Sequence, residues 1–193
     1  DDGCPSESGK NIKNNIHDKR VVVITHGQNH GVGAAMKTGI EYVLSQDIQI
    51  IVKIDSDGQM KPQFIPNIIK PILDGRSCVS KGNRFTNVED ISLMPKVRLL
   101  GNLALGYITK LSTGYWELFD PTNGFLAFTT DVLRNISLRK VDNRYLFETE
   151  LLFRFSLRNV YIIEVPMKAI YSNEVSSLNP LMSIPVFLIK HFQ

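Results

Sequence analysis

The chain is poor in cysteine: Cys4 and Cys78 are its only two in 193 residues. Two cannot form a disulfide framework, so a reducing compartment is the default. No apolar run approaches the roughly 18 residues that a membrane-crossing helix needs. Internal repeats and low-complexity tracts are absent as well, which leaves no case for a solenoid or a compositionally disordered chain. Charge is close to balanced, with 22 Lys and Arg against 19 Asp and Glu, a net charge of +3. That mild excess tolerates an acidic ligand or surface and predicts no nucleic-acid partner. His17, His26, His30 and His191 show no metal-ligand spacing and read as loop or surface residues. The opening Asp1-Asp2-Gly3 carries no secretory-leader pattern. Asn135-Ile136-Ser137 fits a glycosylation acceptor, but such triplets are frequent by chance.

What remains is ordinary globular material, 43% apolar and 21% charged, long enough for one sizeable domain. Strand and helix patterns alternate along it. Residues 10–18 read as a short helix, and Val21-Val22-Val23-Ile24 as a strand. A glycine-rich loop, Gly27 to Gly33, leads into an amphipathic helix from Ala34 to Ser45. Ile50-Ile51-Val52-Lys53-Ile54 is mostly β-branched and apolar on both faces, the pattern of a buried parallel strand. Pro62 opens a helix carrying Ile65, Ile68, Ile69 and Ile72, and Asp74-Gly75 ends it. Cys78 to Gly82 is a further short strand, and 86–95 a polar loop. Lys96 to Ser112 is a long helix whose broad apolar face suits core or membrane-surface contact. Phe125 to Phe128 is a strand, and Thr130 a candidate cap for a helix over 131–136. An amphipathic helix over 146–157 and a strand from Val160 to Val165 follow. A polar loop at 171–180 and an apolar-basic helix at 181–192 complete the series. The alternation predicts an α/β domain with a mostly parallel sheet.

Chemistry gathers at the ends of these strands. Asp55-Ser56-Asp57-Gly58-Gln59 follows the strand at 50–54, and ligands of open α/β sheets bind at the carboxyl ends of strands. Two carboxylates held close repel unless a cation or a phosphate-bound metal offsets them. Two hard oxygens and an amide suit Mg²⁺ or Mn²⁺; the plain alternative is a solvated turn. Asn29-His30-Gly31-Val32-Gly33 precedes a helix, where a backbone approaches an anion closely, or where a tight loop simply turns. Arg84, after Gly82-Asn83, is either a fork for a phosphate or a surface arginine. Glu148 and Glu150 lie two residues apart on a helix and face different ways, so at most one reaches a site.

In order, these segments resemble the family 2 glycosyltransferases of GT-A fold, and among them the dolichyl- and polyprenyl-phosphate sugar synthases. Asp1-Asp2-Gly3-Cys4-Pro5 is similar to the family's first acidic loop, and Asn29-x-Gly31-x-Gly33-x-Ala35 to its glycine-rich segment. Asp55-x-Asp57-x-Gln59 with Pro62 matches its metal motif, and Gly82-Asn83-Arg84 resembles its Gly-Ser-Arg. Asp120-Pro-Thr-Asn-Gly124-Phe125, Phe147-Glu148-x-Glu150-Leu151-Leu152 and Glu164-Val165-Pro166 resemble its later motifs. Ser172 to Ser177 stands where the family has a flexible loop. The chain departs at Leu126, where many members have arginine, and at Pro5-Ser6, which displaces a second acid. By the family's pattern a strand, a helix and a second strand, about 35–40 residues, are expected ahead of Asp1.

The resemblance implies a three-layer GT-A domain over 1–180, then an amphipathic segment at 181–193 that approaches a membrane. It implies metal-dependent, inverting transfer of a sugar from a UDP-, GDP- or dTDP-sugar to a polyprenyl-phosphate or glycan acceptor, at the cytoplasmic face of a membrane, in cell-envelope or glycan biosynthesis. Asp55, Asp57 and Gln59 would hold Mg²⁺ or Mn²⁺. Asp1, Asp2, Asn29, Gly31, Asp55 and Arg84 would contact the donor, and Asp120 and Glu148 are the candidate catalytic acids. The rival readings are a sugar-nucleotide pyrophosphorylase and a non-catalytic nucleotide-binding module.

Overall fold

A computed structural model describes residues 1–86 and 96–168. In chain order the elements are α1 (Ser8–Asn15), α2 (Val32–Leu44), β1 (Ile50–Lys53), α3 (Ile65–Leu73), β2 (Val79–Asn83), α4 (Lys96–Thr113), β3 (Leu126–Thr129), α5 (Thr130–Arg134), α6 (Phe147–Ser156) and β4 (Ile162–Pro166). The expected loop at 171–180 and helix at 181–192 lie outside the described residues, as does nearly all of the loop at 86–95.

The strands form one sheet in the order β1-β3-β2-β4. β2 and β4 pair in parallel, with Lys81 beside Glu164. β3 runs antiparallel to both β1 and β2. Three of the four strands therefore point the same way, and the short β3 runs against them. It carries buried apolar residues on both faces. Leu126 and Phe128 join a core with Ile40 of α2 and Leu151, Leu152 and Phe155 of α6. Phe125 and Ala127 join a second core with Ile68 and Ile72 of α3. The two-residue side-chain period thus divides one strand between two layers of helix.

Two expected strands differ. Val21 to Ile24 forms no strand here, and Val21 and Val22 are exposed. Among the described residues this segment meets another extended one at only two points: the Asp1 amino group donates to the Ile24 carbonyl, and the His26 N–H to the Asp1 carbonyl. A ladder that short does not hold a strand. Among the described residues β1 has one neighbour, the antiparallel β3, and stands at the sheet edge instead of as a buried parallel strand; its only buried residue is Lys53. Smaller shifts follow ordinary end effects. The cap of α5 is Thr129, whose side chain accepts from the Val132 N–H, one residue ahead of the expected Thr130. α4 turns Gly106, Thr109 and Thr113 inward and leaves Leu100, Leu103, Tyr107 and Leu111 exposed.

Candidate functional site

β1 carries the chain to Asp55-Ser56-Asp57-Gly58-Gln59 at its carboxyl end. Directly before the two acids, Lys53 turns inward. Its side chain is 2% exposed, and its Nζ lies 2.7 Å from Asp55 Oδ1 and 2.8 Å from Glu148 Oε1. Glu148 comes from the first turn of α6. Burial disfavours the charged lysine, but Glu148 and Asp55 together outweigh it and hold its pKa above the ordinary value. Gly124 makes room for this group, since a Cβ there would stand 2.5 Å from Lys53 Nζ and 3.0 Å from Asp55 Oδ2. Glu150 faces elsewhere and accepts from the Asp142 N–H.

Asp57 is exposed and accepts the Gln59 backbone N–H at 2.9 Å. Mg²⁺ is commonly held by one or two carboxylates, with substrate phosphates and water completing its shell. Asp55 and Asp57 fit an ion of that kind. Among the described residues no group of three or more His, Cys, Asp and Glu stands ready to hold a metal. Two carboxylates leave the remaining positions of such a shell to phosphate oxygens and water.

A second set of charges closes the ends of β2 and β4. Asp120 is fully buried. Arg84 grips it with Nε at 2.7 Å, Nη2 at 2.9 Å and its backbone N–H at 3.0 Å. Burial raises the Asp120 pKa, but Arg84, aided by Lys81, more than offsets that and holds it below the usual carboxylate value. Glu164 accepts the N–H groups of Phe119 and Asp120 and the Asn83 side-chain amide, at 2.8–2.9 Å; burial pushes its carboxyl up. Lys81, also fully buried, donates to the Asn123 carbonyl. Burial lowers its pKa to about 8. Arg84 thus directs its fork at Asp120, and both oxygens of Asp120 are engaged. That is an arrangement for positioning, and a poor one for accepting a proton.

The first loop is likewise committed to backbone. Asp1 accepts the N–H groups of Cys4 and Gly9 at 2.8 and 2.7 Å and so anchors the entry to α1. Asp2 accepts from His30 N–H at 3.0 Å and Gly31 N–H at 2.7 Å, and its Oδ1 lies 2.6 Å from His26 Nδ1. Burial raises its pKa, while His30, His26 and Gly31 together outweigh that and lower it. Gly31 has φ +103°, and a Cβ on it would lie 2.4 Å from the Asn143 carbonyl oxygen. The Ala34 N–H donates to that same carbonyl. The close approach that these glycines permit is to the chain's own 142–144 loop, and Asn29 is exposed beside it.

Sequence reasoning passed over Lys53 and Lys81, and read His26 as a loop or surface residue. The signal for the lysines was there: each interrupts a run of strand residues, Ile-Ile-Val-Lys-Ile and Cys-Val-Ser-Lys-Gly. A lysine inside a buried strand must be paired. His26 bridges Asp2 and the Thr38 hydroxyl, which no local spacing announced.

Residues 1–137 match the family described as Glycosyl transferase family 2. The chain belongs to that family. It is 35% identical over 153 residues to a UDP-N-acetylglucosamine–dolichyl-phosphate N-acetylglucosaminyltransferase of Methanococcus voltae, covering 79% of this chain and 61% of that protein. It is 25% identical over 171 residues to the polyprenol monophosphomannose synthase of Mycolicibacterium smegmatis, covering 86% and 63%. The chain thus spans less than two thirds of the length of either. Among solved structures, glucosyl-3-phosphoglycerate synthase from Mycobacterium tuberculosis, in complex with Mg²⁺ and uridine diphosphate, matches with a TM-score of 0.54 at 19% identity, over 83% of this chain and 54% of that one. The fold is that of the GT-A-like α/β glycosyltransferases.

Proposed function

We propose that this family 2 chain serves in a metal-dependent, inverting transferase that moves a sugar from a nucleotide-sugar to a polyprenyl-phosphate acceptor. The observation that carries the reading is the tip of β1, where exposed Asp57 and half-exposed Asp55 stand before a buried Lys53 paired with half-buried Glu148. Relatives named for dolichyl- and polyprenyl-phosphate acceptors support the same substrate class. Asp55 and Asp57, with Gln59, hold Mg²⁺ or Mn²⁺ against the donor diphosphate. When bound, that ion supplies Lewis-acid stabilisation of the leaving diphosphate. The loop at 28–31, shaped by Asp2, offers its surface to the base and ribose. Arg84, its guanidinium held by Asp120, shapes the carboxyl end of β2 beside this site. A phosphate acceptor is already ionised near neutral pH and needs no strong base. That fits an Asp120 with both oxygens engaged and leaves Glu148, aimed by Lys53, to orient the acceptor.

The acceptor's membrane fits the outer face of α4. Leu100, Leu103, Tyr107 and Leu111 are exposed there, and Tyr107 meets the exposed Trp116 edge-on, ring centroids 6.3 Å apart. Such a face suits the headgroup boundary of a bilayer. Among the described residues no helix is long and apolar enough to cross one.

The test is transfer from UDP-N-acetylglucosamine to dolichyl phosphate by the complete protein, titrated with Mn²⁺. Asp57→Ala should lower turnover by about 100-fold or more, since metal stabilisation is worth several kcal/mol. Unchanged turnover in the variant would remove the mechanism.

A further inference from the structure

Asp55 and Glu148 both direct an oxygen at one nitrogen. Lys53 Nζ stands 2.7 Å from the first and 2.8 Å from the second. This is the position that a small cation bridging the two carboxylates would take. The lysine is almost wholly buried, so water does little to screen it. It sits there by construction, because the glycine at 124 leaves out the one atom that would collide with the ammonium. Glu148 is 95 residues away in sequence and is drawn to the β1 tip by this contact.

We propose that Lys53 is a built-in counter-ion that keeps the acidic tip from binding a divalent metal on its own and makes metal binding depend on the donor diphosphate. The inference rests on the metal site of the preceding section and adds an order of binding to it. With Lys53 in place, Asp55 and Glu148 each give an oxygen to the ammonium, and among the described residues Asp57 forms no ion pair. A diphosphate supplies the missing negative oxygens. By linkage, metal and diphosphate then raise each other's affinity by the same factor. Without the ammonium, Asp55, Asp57 and Glu148 would face an incoming ion together and would attract it with no nucleotide present.

The test reads Mn²⁺ binding from the spectroscopic signal of the free ion, with and without UDP, in the complete protein. Wild type should bind weakly alone and more tightly with UDP. Lys53→Met and Lys53→Gln should bind Mn²⁺ without nucleotide at least tenfold more tightly than wild type, because one positive charge against a divalent ion at contact distance is worth more than about 1 kcal/mol even when fully screened by water. The factor by which UDP tightens binding should shrink. Lys53→Met/Glu148→Gln should lose the gain. Equal nucleotide-free affinities in wild type and the lysine variants would overturn the proposal, as would tight Mn²⁺ binding by wild type alone. If neither lysine variant melts cooperatively, Glu148→Gln decides. Lys53 is then left to Asp55 alone, and UDP-dependent Mn²⁺ binding should fall several-fold; unchanged binding would overturn the proposal. Absence of UDP-dependent Mn²⁺ binding in wild type would count against the transferase metal site, while the nucleotide-free comparison would still judge Lys53.

Discussion

Asparagine at position 120 would keep the shape of the side chain there and remove its charge. Asp120 is fully buried, and the Arg84 side chain that grips it is only 16% exposed. Three Arg84 hydrogen bonds converge on the carboxylate. An amide keeps one acceptor and turns an NH₂ group toward a donor. Taking away one partner of a buried ion pair typically costs about 3–5 kcal/mol, because the other charge is stranded. For a chain of this size each kcal/mol lowers the melting temperature by about 2–4 °C, so Asp120→Asn should melt roughly 6–20 °C below wild type. The Asp120 pKa is lowered in the folded chain from its ordinary 3.8. Its charge-dependent stabilisation is therefore complete above that value and is lost as pH falls through the lower folded value. The gap between wild type and variant should close in the same direction. Arg84→Met/Asp120→Leu removes both partners of the pair and should recover part of the loss, the rest remaining because buried Lys81 still lacks the Asp120 charge. Thermal melts of the three proteins at pH 7, and of the first two down to pH 3, carry the test. An Asp120→Asn variant that melts with wild type but loses turnover would refute this reasoning and return Asp120 to the role of base.

Lys81 has an ordinary pKa of 10.5 when exposed and about 8 in the fold. Between those values the unfolded chain binds the extra proton, so wild type should gain stability relative to Lys81→Met as pH rises from 8 toward 10.5; parallel melting curves across that window would refute it. Leu103→Glu/Tyr107→Glu changes only exposed positions on α4. It should melt within about 1 kcal/mol of wild type yet lose sedimentation with anionic vesicles, and unaltered sedimentation would remove the membrane-facing role of that helix.

The parts of the fold legible in the sequence are those where a local period meets a burial requirement. The spacing of Ile65, Ile68 and Ile72 places α3, and Gly75, at φ +68°, ends it as its residue type foretold. The direction of β3 was not legible. Its four residues read the same as a parallel or an antiparallel strand, because direction is set by its neighbours β1 and β2 and leaves no mark on its own composition. Val21 to Ile24 shows the opposite error: β-branched residues give a propensity, but a strand exists only where partners accept its hydrogen bonds.

The same division runs through the candidate site. The acids at 55 and 57 and the arginine at 84 stand out in the sequence by order and residue type. Much of what they and their neighbours touch does not, because these contacts cross long stretches of chain: Lys53 with Glu148, Arg84 with Asp120, Gly31 against Asn143. The glycine-rich segment is the clearest case. Glycines before a helix fit an anion as well as they fit a neighbouring loop, and only the Asn143 carbonyl, accepting from Ala34 at 3.0 Å, distinguishes the two. A buried cation inside a strand carries more information than such a motif. Its burial demands a partner wherever the chain supplies one, so Lys53 and Lys81 together point to the strand end where the acids from β1, α6 and the 120–124 turn converge.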